Sequence, residues 1–432
     1  MGRLDGRGAW RTGPHSLRHH PWVMVWTMSV AQVISWGTLY YTFSLFVIPM
    51  QQSLGWSLPL LNGALSLGLL CTAAVAFPVG KWIDQRGARG VMTLGSCMGG
   101  FLLLAWSFVE SPWALYLIWV GIGASLAGVL YEPAFAVITA TFGAQARRGI
   151  TAMTLVGGFA STVFMPVTQM LINTMGWRHT LLVLGGMNLA ICLPLHFYFV
   201  PASTAKHASL KQTTGAQAPP QAHPIQSILR GRVFVGLAIW FTACNTAAVA
   251  LFSQFVPLLT TWGINKGTIM ASVALVGPMQ VAGRIVLMLL SNRLETRTTG
   301  MVVLVMLPAS ILTLLFLPHT ALALGLCTAL YGAANGIMTI VRGTAVSDLI
   351  GREHYGTING ALTVPIMMAR AAAPFIAATL WSIMGDPTVM LWTLLGGIGL
   401  GAVGFGMAVS GASRGTGDAP GMVTPAPPAH TP

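Results

Sequence analysis

The chain has 432 residues, of which 54% are hydrophobic and only 7% charged, with mean hydropathy +0.72 and a formal net charge of +13. A soluble domain carries about 25% charged residues, so this composition cannot cover a water-facing surface, and a soluble globular protein is excluded. The basic balance, which in a soluble protein would point to nucleic acid, has an explanation by position given below.

In chain order, residues 1–21 are basic and precede an apolar segment, Trp22 to Pro49, long enough to span a bilayer. A secretory signal would have a shorter apolar region ending in a small-residue cleavage site, so residues 1–21 are read as a retained cytoplasmic tail. Its "HSLRHH" cluster lies in a flexible basic stretch and is not taken as a metal site.

A helix needs about 20 apolar residues to cross a hydrocarbon core about 30 Å thick. Polar and Gly/Pro/Asn punctuation divides the chain into twelve such segments, helices one to twelve. The first six are Trp22 to Pro49, Leu58 to Gly80, Gly90 to Val109, Trp113 to Thr139, Ile150 to Asn173 and Arg178 to Val200. The second six are Val233 to Leu259, Thr268 to Leu290, Thr299 to Leu317, Ala321 to Arg342, Asn359 to Met384 and Thr388 to Val409. The expected fold is therefore all-α and integral to the membrane, with two pseudo-symmetric six-helix bundles, 22–200 and 233–409. Residues 201–232, rich in Ala, Gln, Thr, Pro and His, lack the apolar content to pack and read as a cytoplasmic linker; residues 410–432 read as a disordered tail.

With the N-terminus in the cytoplasm, most Lys and Arg residues fall in inner turns and tails, while the outer loops hold Arg178 and Lys266. That asymmetry places both termini inside and accounts for the charge without nucleic acid. It describes a multi-pass protein of the cell (inner) membrane. Five cysteines, Cys71, Cys97, Cys192, Cys244 and Cys327, all lie in apolar segments and read as small core hydrophobes, with no disulfide or metal framework. The halves echo each other at an offset of roughly 210 residues, as duplicated carriers do. "LGWS" and "WGIN" end outer loops, and "ARRG" and "REHYG" precede odd-numbered helices.

The turn after helix two reads "GKWIDQRGAR", Gly80 to Arg89. It resembles the signature of the major facilitator superfamily, in which Gly80, Asp84, Gly87 and Arg89 match. Gln85 departs from the usual basic residue, and Arg86 supplies a charge one place later. The resemblance implies a conformational latch. Asp84 at a helix end can accept backbone N–H groups or pair with an arginine of the next turn, and the glycines permit a tight turn and close helix approach. The second-half counterpart, "SNRLETR", keeps Arg293, Glu295 and Arg297 but lacks the glycines. Helix one, "WGTLYYTFSLFVIPM", with "LGWS" and "GWR" at outer turns, is similar to the branch containing monocarboxylate porters and oxalate:formate antiporters. That branch places cations in helices eight and eleven, which here carry Arg284 and Arg370.

Each intramembrane arginine costs about 2.5 to 3.5 kcal/mol on insertion scales unless it finds water or an anion. Neither helix supplies an acidic partner. Two cations facing one cavity make an anion site, and the planar guanidinium suits a carboxylate, although phosphate fits the same fork. The alternative is that each arginine bonds backbone carbonyls at a broken helix, since Pro365 and Pro374 flank Arg370. Glu132, next to Pro133 in helix four, is the carboxylate well inside a span, and Arg342 sits at the end of helix ten. Three readings stay open: Glu132 as a proton site, a gate in which Glu132 and Arg342 pair across the cytoplasmic mouth, and a purely structural contact.

Gln32, Tyr40, Tyr41, Asn245, Gln280 and Asn335 are the uncharged candidates to line the path; ordinary interhelical bonding is their alternative role. Tyr40 and Tyr41 point about 100° apart on an α-helix, so one of the two is expected to face the cavity. The whole reads as a monomeric secondary carrier of a small organic anion, a mono- or dicarboxylate, with H+ as the candidate coupling ion and no cofactor or metal. Proton-driven efflux of hydrophobic compounds is a rival, although Gly157, Gly158 and Pro166 do not reproduce the expected helix-five spacing. A nontransporting sensor is another, lacking a signalling domain. No nucleophile, base and orienter group together, so an enzyme is not expected.

Overall fold

A computed structural model describes residues 20–202, 225–290 and 295–415. Among these, the long apolar helical stretches run Pro21–Leu54, Leu58–Arg86, Ala88–Trp106, Pro112–Phe142, Ala146–Phe199, Arg232–Thr261, Lys266–Leu290, Thr296–Phe316, Ala321–Leu349, Tyr355–Met384 and Pro387–Ala412. Ala146–Phe199 is crossed twice. Gly176, at φ 79°, breaks it into helices five and six, so the 11 stretches hold twelve spanning helices among the described residues. The return is visible in side-chain contacts along helix three: Arg178 reaches Ser107 and Val109, His196 meets Ser96, and Arg89 meets Val200.

Helix ends follow local chemistry. Pro21 and Pro112 occupy first turns, where a missing N–H costs nothing, and Ser111 and Thr320 cap the helices that follow them. Gly55 and Gly385 end their helices in the left-handed region. Several helices outrun the apolar segments that mark them. Helix two continues to Arg86, until Gly87 at φ 83° turns the chain. Helix ten runs past Arg342 to Leu349, so Arg342 lies inside it and not at its end. Helix twelve extends to Gly415, into the expected tail. Hydropathy marks only the part of a helix that must sit in hydrocarbon, and backbone bonding carries the helix further. In the expected linker, residues 203–224 lie outside the described residues, but Ile225–Arg230 is helical and helix seven begins at Arg232. The tails 1–19 and 416–432, most of the His-rich cluster and Arg293 also lie outside the described residues.

Equivalent helices pack alike in the two halves. Helix two meets helix four backbone to backbone at Gly68 and Gly123, where the Thr72 hydroxyl donates to the Gly123 carbonyl at 2.8 Å. Helix eight meets helix ten the same way, with Gly336 on the Gln280 carbonyl and Gly283 on Ala333. Small residues let backbones approach where lipid offers no hydrophobic drive for association.

Candidate functional site

At mid-length helix one leaves α geometry for a five-residue π turn, Gly37–Tyr41. Gly37 lies against Phe164 of helix five, with no room for a Cβ. The wider turn gathers aromatic rings: Trp36 lies 5.3 Å from Tyr40, 5.6 Å from Tyr41 and 5.1 Å from Tyr131 of helix four. The Tyr41 hydroxyl is within coulombic reach of Arg284 and Arg370, and Tyr40 is within reach of Tyr331. The expected separation of about 100° between the two rested on α geometry, which the π turn replaces.

Arg284 is buried, only 4% exposed. Its Nη1 donates to the Thr154 carbonyl of helix five at 2.9 Å and its Nη2 to the Thr339 hydroxyl at 3.5 Å, while Nε has no acceptor. Gly158 makes the seat, since a Cβ there would collide with Nη1. Arg370 is different. It is half-buried and, among the described residues, makes neither hydrogen bond nor ion pair. Helix eleven runs unbroken through Pro365 and Pro374, and the guanidinium does not bond their freed carbonyls. Carbonyl bonding therefore describes Arg284 and not Arg370.

Helix four breaks at Leu130 (ψ −156°). Pro133 has no N–H for the Val129 carbonyl, and Gln32 takes it instead: Nε2 donates to Val129 at 2.7 Å and to Leu130 at 3.2 Å. Gln32 is fully buried in this role and does not line a path. Glu132, just past the break, lines a cavity with Thr72, Gly80, Gly356 and Thr363. Its carboxylate makes no ion pair with Arg342 among the described residues, though the two charges feel each other. Arg342 is held on helix eleven, donating to the Asn359 side chain, to the Asn359 carbonyl at 3.0 Å and to the Thr363 hydroxyl at 2.9 Å. The direct cross-mouth pair is not formed in this state because Arg342 is already satisfied within the second half.

At that end the halves meet tightly. Gly80 presses on the Gly356 carbonyl and Gly360 on that of Ala76, backbone against backbone between helices two and eleven. Helix eleven starts after His354, which supplies no side-chain cap. The cap comes from the other half: Asp84 accepts from the Gly356 amide at 2.8 Å, the Thr357 amide at 2.7 Å and the Thr357 hydroxyl at 2.6 Å. A carboxylate at a helix N-terminus meets both the unpaired N–H groups and the positive end of the helix dipole. Of the other motif residues, Gly87 makes the turn, Arg86 stacks on Trp82 at 5.1 Å and Arg89 donates to the Val200 carbonyl at 2.6 Å. The second-half counterpart works otherwise. Arg147 of helix five donates to Thr299 of helix nine at 3.1 Å and lies within coulombic reach of Asp348, which Thr296 also engages.

The sequence profile of the Major Facilitator Superfamily matches residues 28–374. The chain belongs to that superfamily. Its described residues carry the multi-span helical architecture of that superfamily. Monocarboxylate transporter 11 of Mus musculus is 34% identical over 128 residues, 28% of this chain and 27% of that protein. YcxA of Bacillus subtilis (strain 168), described as an uncharacterised MFS-type transporter, is 28% identical over 188 residues, 43% of this chain and 44% of its own. The match thus spans about a quarter to under half of these curated relatives' lengths. Among solved structures, the human organic anion transporter MFSD10 (TETRAN) superposes with TM-score 0.63 at 16% identity, over 92% of this chain and 100% of that one. FucP in the outward conformation gives 0.64 at 14% identity, over 91% and 99%. A bacterial ferroportin homologue in the outward-facing state gives 0.65 at 12%, over 90% and 100%. At these identities the likeness is one of fold.

Within this superfamily fold the expected residues divide into groups. Tyr40, Tyr41, Arg284 and Arg370 share one neighbourhood. Asn245 and Asn335 line a separate small cavity with Cys244, Val303 and Met338, each amide donating to a carbonyl four residues back in its own helix. Gln280 contributes its backbone to the contact with helix ten, and its amide makes no hydrogen bond among the described residues. Sequence reasoning missed Trp36, Tyr131, Thr154, Gly158, Tyr331 and Thr339. Tyr131 had a signal in "LYEP", beside the one acidic span residue considered; Thr154 had none, since it serves through its backbone.

Proposed function

We propose that this protein carries a small organic anion, a carboxylate, across the cell membrane by alternating access, with Arg370 and Arg284 at the binding site. The observation that carries the reading is Arg370: a half-buried guanidinium at the middle of a spanning helix, without a hydrogen-bond or ion-pair partner among the described residues, and within coulombic reach of Tyr41, as Arg284 also is. A permanent cation so placed is stabilised by an anion, and its two parallel N–H groups match a carboxylate. The partial matches to monocarboxylate transporters and the fold shared with an organic anion transporter support the same class.

The Asp84 end is read as cytoplasmic, from the bias of Lys and Arg toward it. Closure there is the arrangement of a carrier that is shut to the cytoplasm. In it Arg284 tethers helix eight to helix five through the Thr154 carbonyl. A ligand that engages Arg284 as well as Arg370 competes with the Thr154 carbonyl, which would link binding to release of one contact between the halves. Glu132, unpaired in the cavity behind the closed mouth, is the residue assigned to proton coupling or gating, and Asp84 is the latch.

Uptake of radiolabelled mono- and dicarboxylates into proteoliposomes tests the reading. Wild-type protein should accumulate at least one of them, and an Arg284→Ala, Arg370→Ala double variant should not. Undiminished uptake by the double variant would refute the assignment.

A further inference from the structure

Resting on that reading, we infer that the cavity selects a monocarboxylate with a flat aromatic body, its carboxylate on Arg370 and its ring against the wall formed by Trp36, Tyr40, Tyr41 and Tyr131. Two observations lead there. The first is the supply of cations. Only one of the two guanidinium groups is free, since Arg284 already donates to Thr154 and Thr339. A dicarboxylate would have to strip Arg284 from a buried carbonyl to satisfy its second charge, whereas a single carboxylate needs only Arg370.

The second is the chemistry of the wall. Trp36 lies 5.1 to 5.6 Å from Tyr40, Tyr41 and Tyr131 between centroids, and Tyr40 lies 5.3 Å from Tyr41. Tyr41 is within coulombic reach of both arginines and Tyr131 of Arg284. The Trp36 indole N–H is buried without an acceptor, and the hydroxyls of Tyr40, Tyr41 and Tyr131 make no hydrogen bond among the described residues. The lining therefore offers hydrogen-bond donors, positive charge and aromatic rings; Glu132 lines the cavity at the closed mouth, though its charge is still felt at Tyr131. A ligand that fits has an anionic acceptor at one end and an apolar plate at the other. In the second half, Tyr331 stacks on Phe252 at 5.8 Å and 8°, donates to the Ala248 carbonyl at 3.0 Å and lies within coulombic reach of Arg370 and Tyr40.

Binding of phenylacetate, cyclohexylacetate and succinate to the purified full chain in nanodiscs, followed by competition against whichever labelled carboxylate is transported, provides the test. Aromatic pairing is worth about 0.5 to 1.5 kcal/mol beyond burial, so phenylacetate should bind roughly two- to tenfold tighter than cyclohexylacetate of similar size. Succinate should be weaker than both. Tyr41→Leu should erase the phenyl-over-cyclohexyl ratio while cyclohexylacetate still binds, and Tyr41→Phe, which keeps the ring, should preserve it. Equal binding of phenylacetate and cyclohexylacetate, or succinate binding as tightly as either, overturns the aromatic selectivity and leaves the carboxylate reading standing. Absence of binding by every carboxylate overturns both.

Discussion

Arg370 and Arg284 would fail differently when substituted, because one is free and the other is held. Arg370→Lys keeps the charge but replaces a planar fork with a point donor. Losing one charge-assisted hydrogen bond, about 1.5 to 3 kcal/mol, should lower carboxylate transport efficiency roughly ten- to hundredfold, read as Vmax/KM in proteoliposomes. Gly158→Ala changes neither arginine. It should nevertheless displace Arg284 from Thr154, because the added methyl falls where Nη1 lies. The expected signature is a raised KM with protein still folded by size-exclusion chromatography; an unchanged KM would show that Arg284 takes no part in binding. At this scale the sequence was informative about charge and nearly silent about seats. An arginine among apolar residues stands out, whereas a carbonyl that will receive it looks like any other, and a glycine gives no hint of which side chain will fill its space.

Helix four shows what an element can conceal. Hydropathy predicts one continuous span from Trp113 to Thr139, yet the helix breaks at Leu130 and the orphaned Val129 carbonyl is served by Gln32 from helix one. Gln32→Leu should leave that carbonyl buried and unpaired at a cost of about 1 to 3 kcal/mol, seen as a lower Tm in detergent. Pro133→Ala restores the missing N–H, so the double variant should recover much of that loss if the break closes. Additive losses would mean that Gln32 serves some other purpose. The π turn at Tyr40 and Tyr41 belongs to the same class of surprise. Both departures arise from packing between helices, Gly37 on Phe164 in one case and Gln32 on Val129 in the other. Neither has a period that could be read along a single segment, whereas the twelve spans, defined by local composition, were legible within several residues.

In the whole molecule, closure at the Asp84 end combines glycine contacts with a borrowed helix cap. Asp84→Ala should weaken that cap by about 1 kcal/mol and move the population toward the state open at this end by a factor of about five. Spin labels at Gln85 and Glu353, both exposed on opposite sides of the junction, would report it as a growing long-distance component. An unchanged distance distribution would show that the glycine contacts alone hold the mouth shut.

Helix eleven depends on a residue of the other half for the order of its first turn. When the mouth opens, the amides of Gly356 and Thr357 lose their acceptors and face water at a helix end that has no cap of its own. Each opening of that mouth should then fray and re-form one helical turn. Hydrogen–deuterium exchange at those two amides becomes a clock for that motion, slow while the Asp84 end is closed and fast each time it opens.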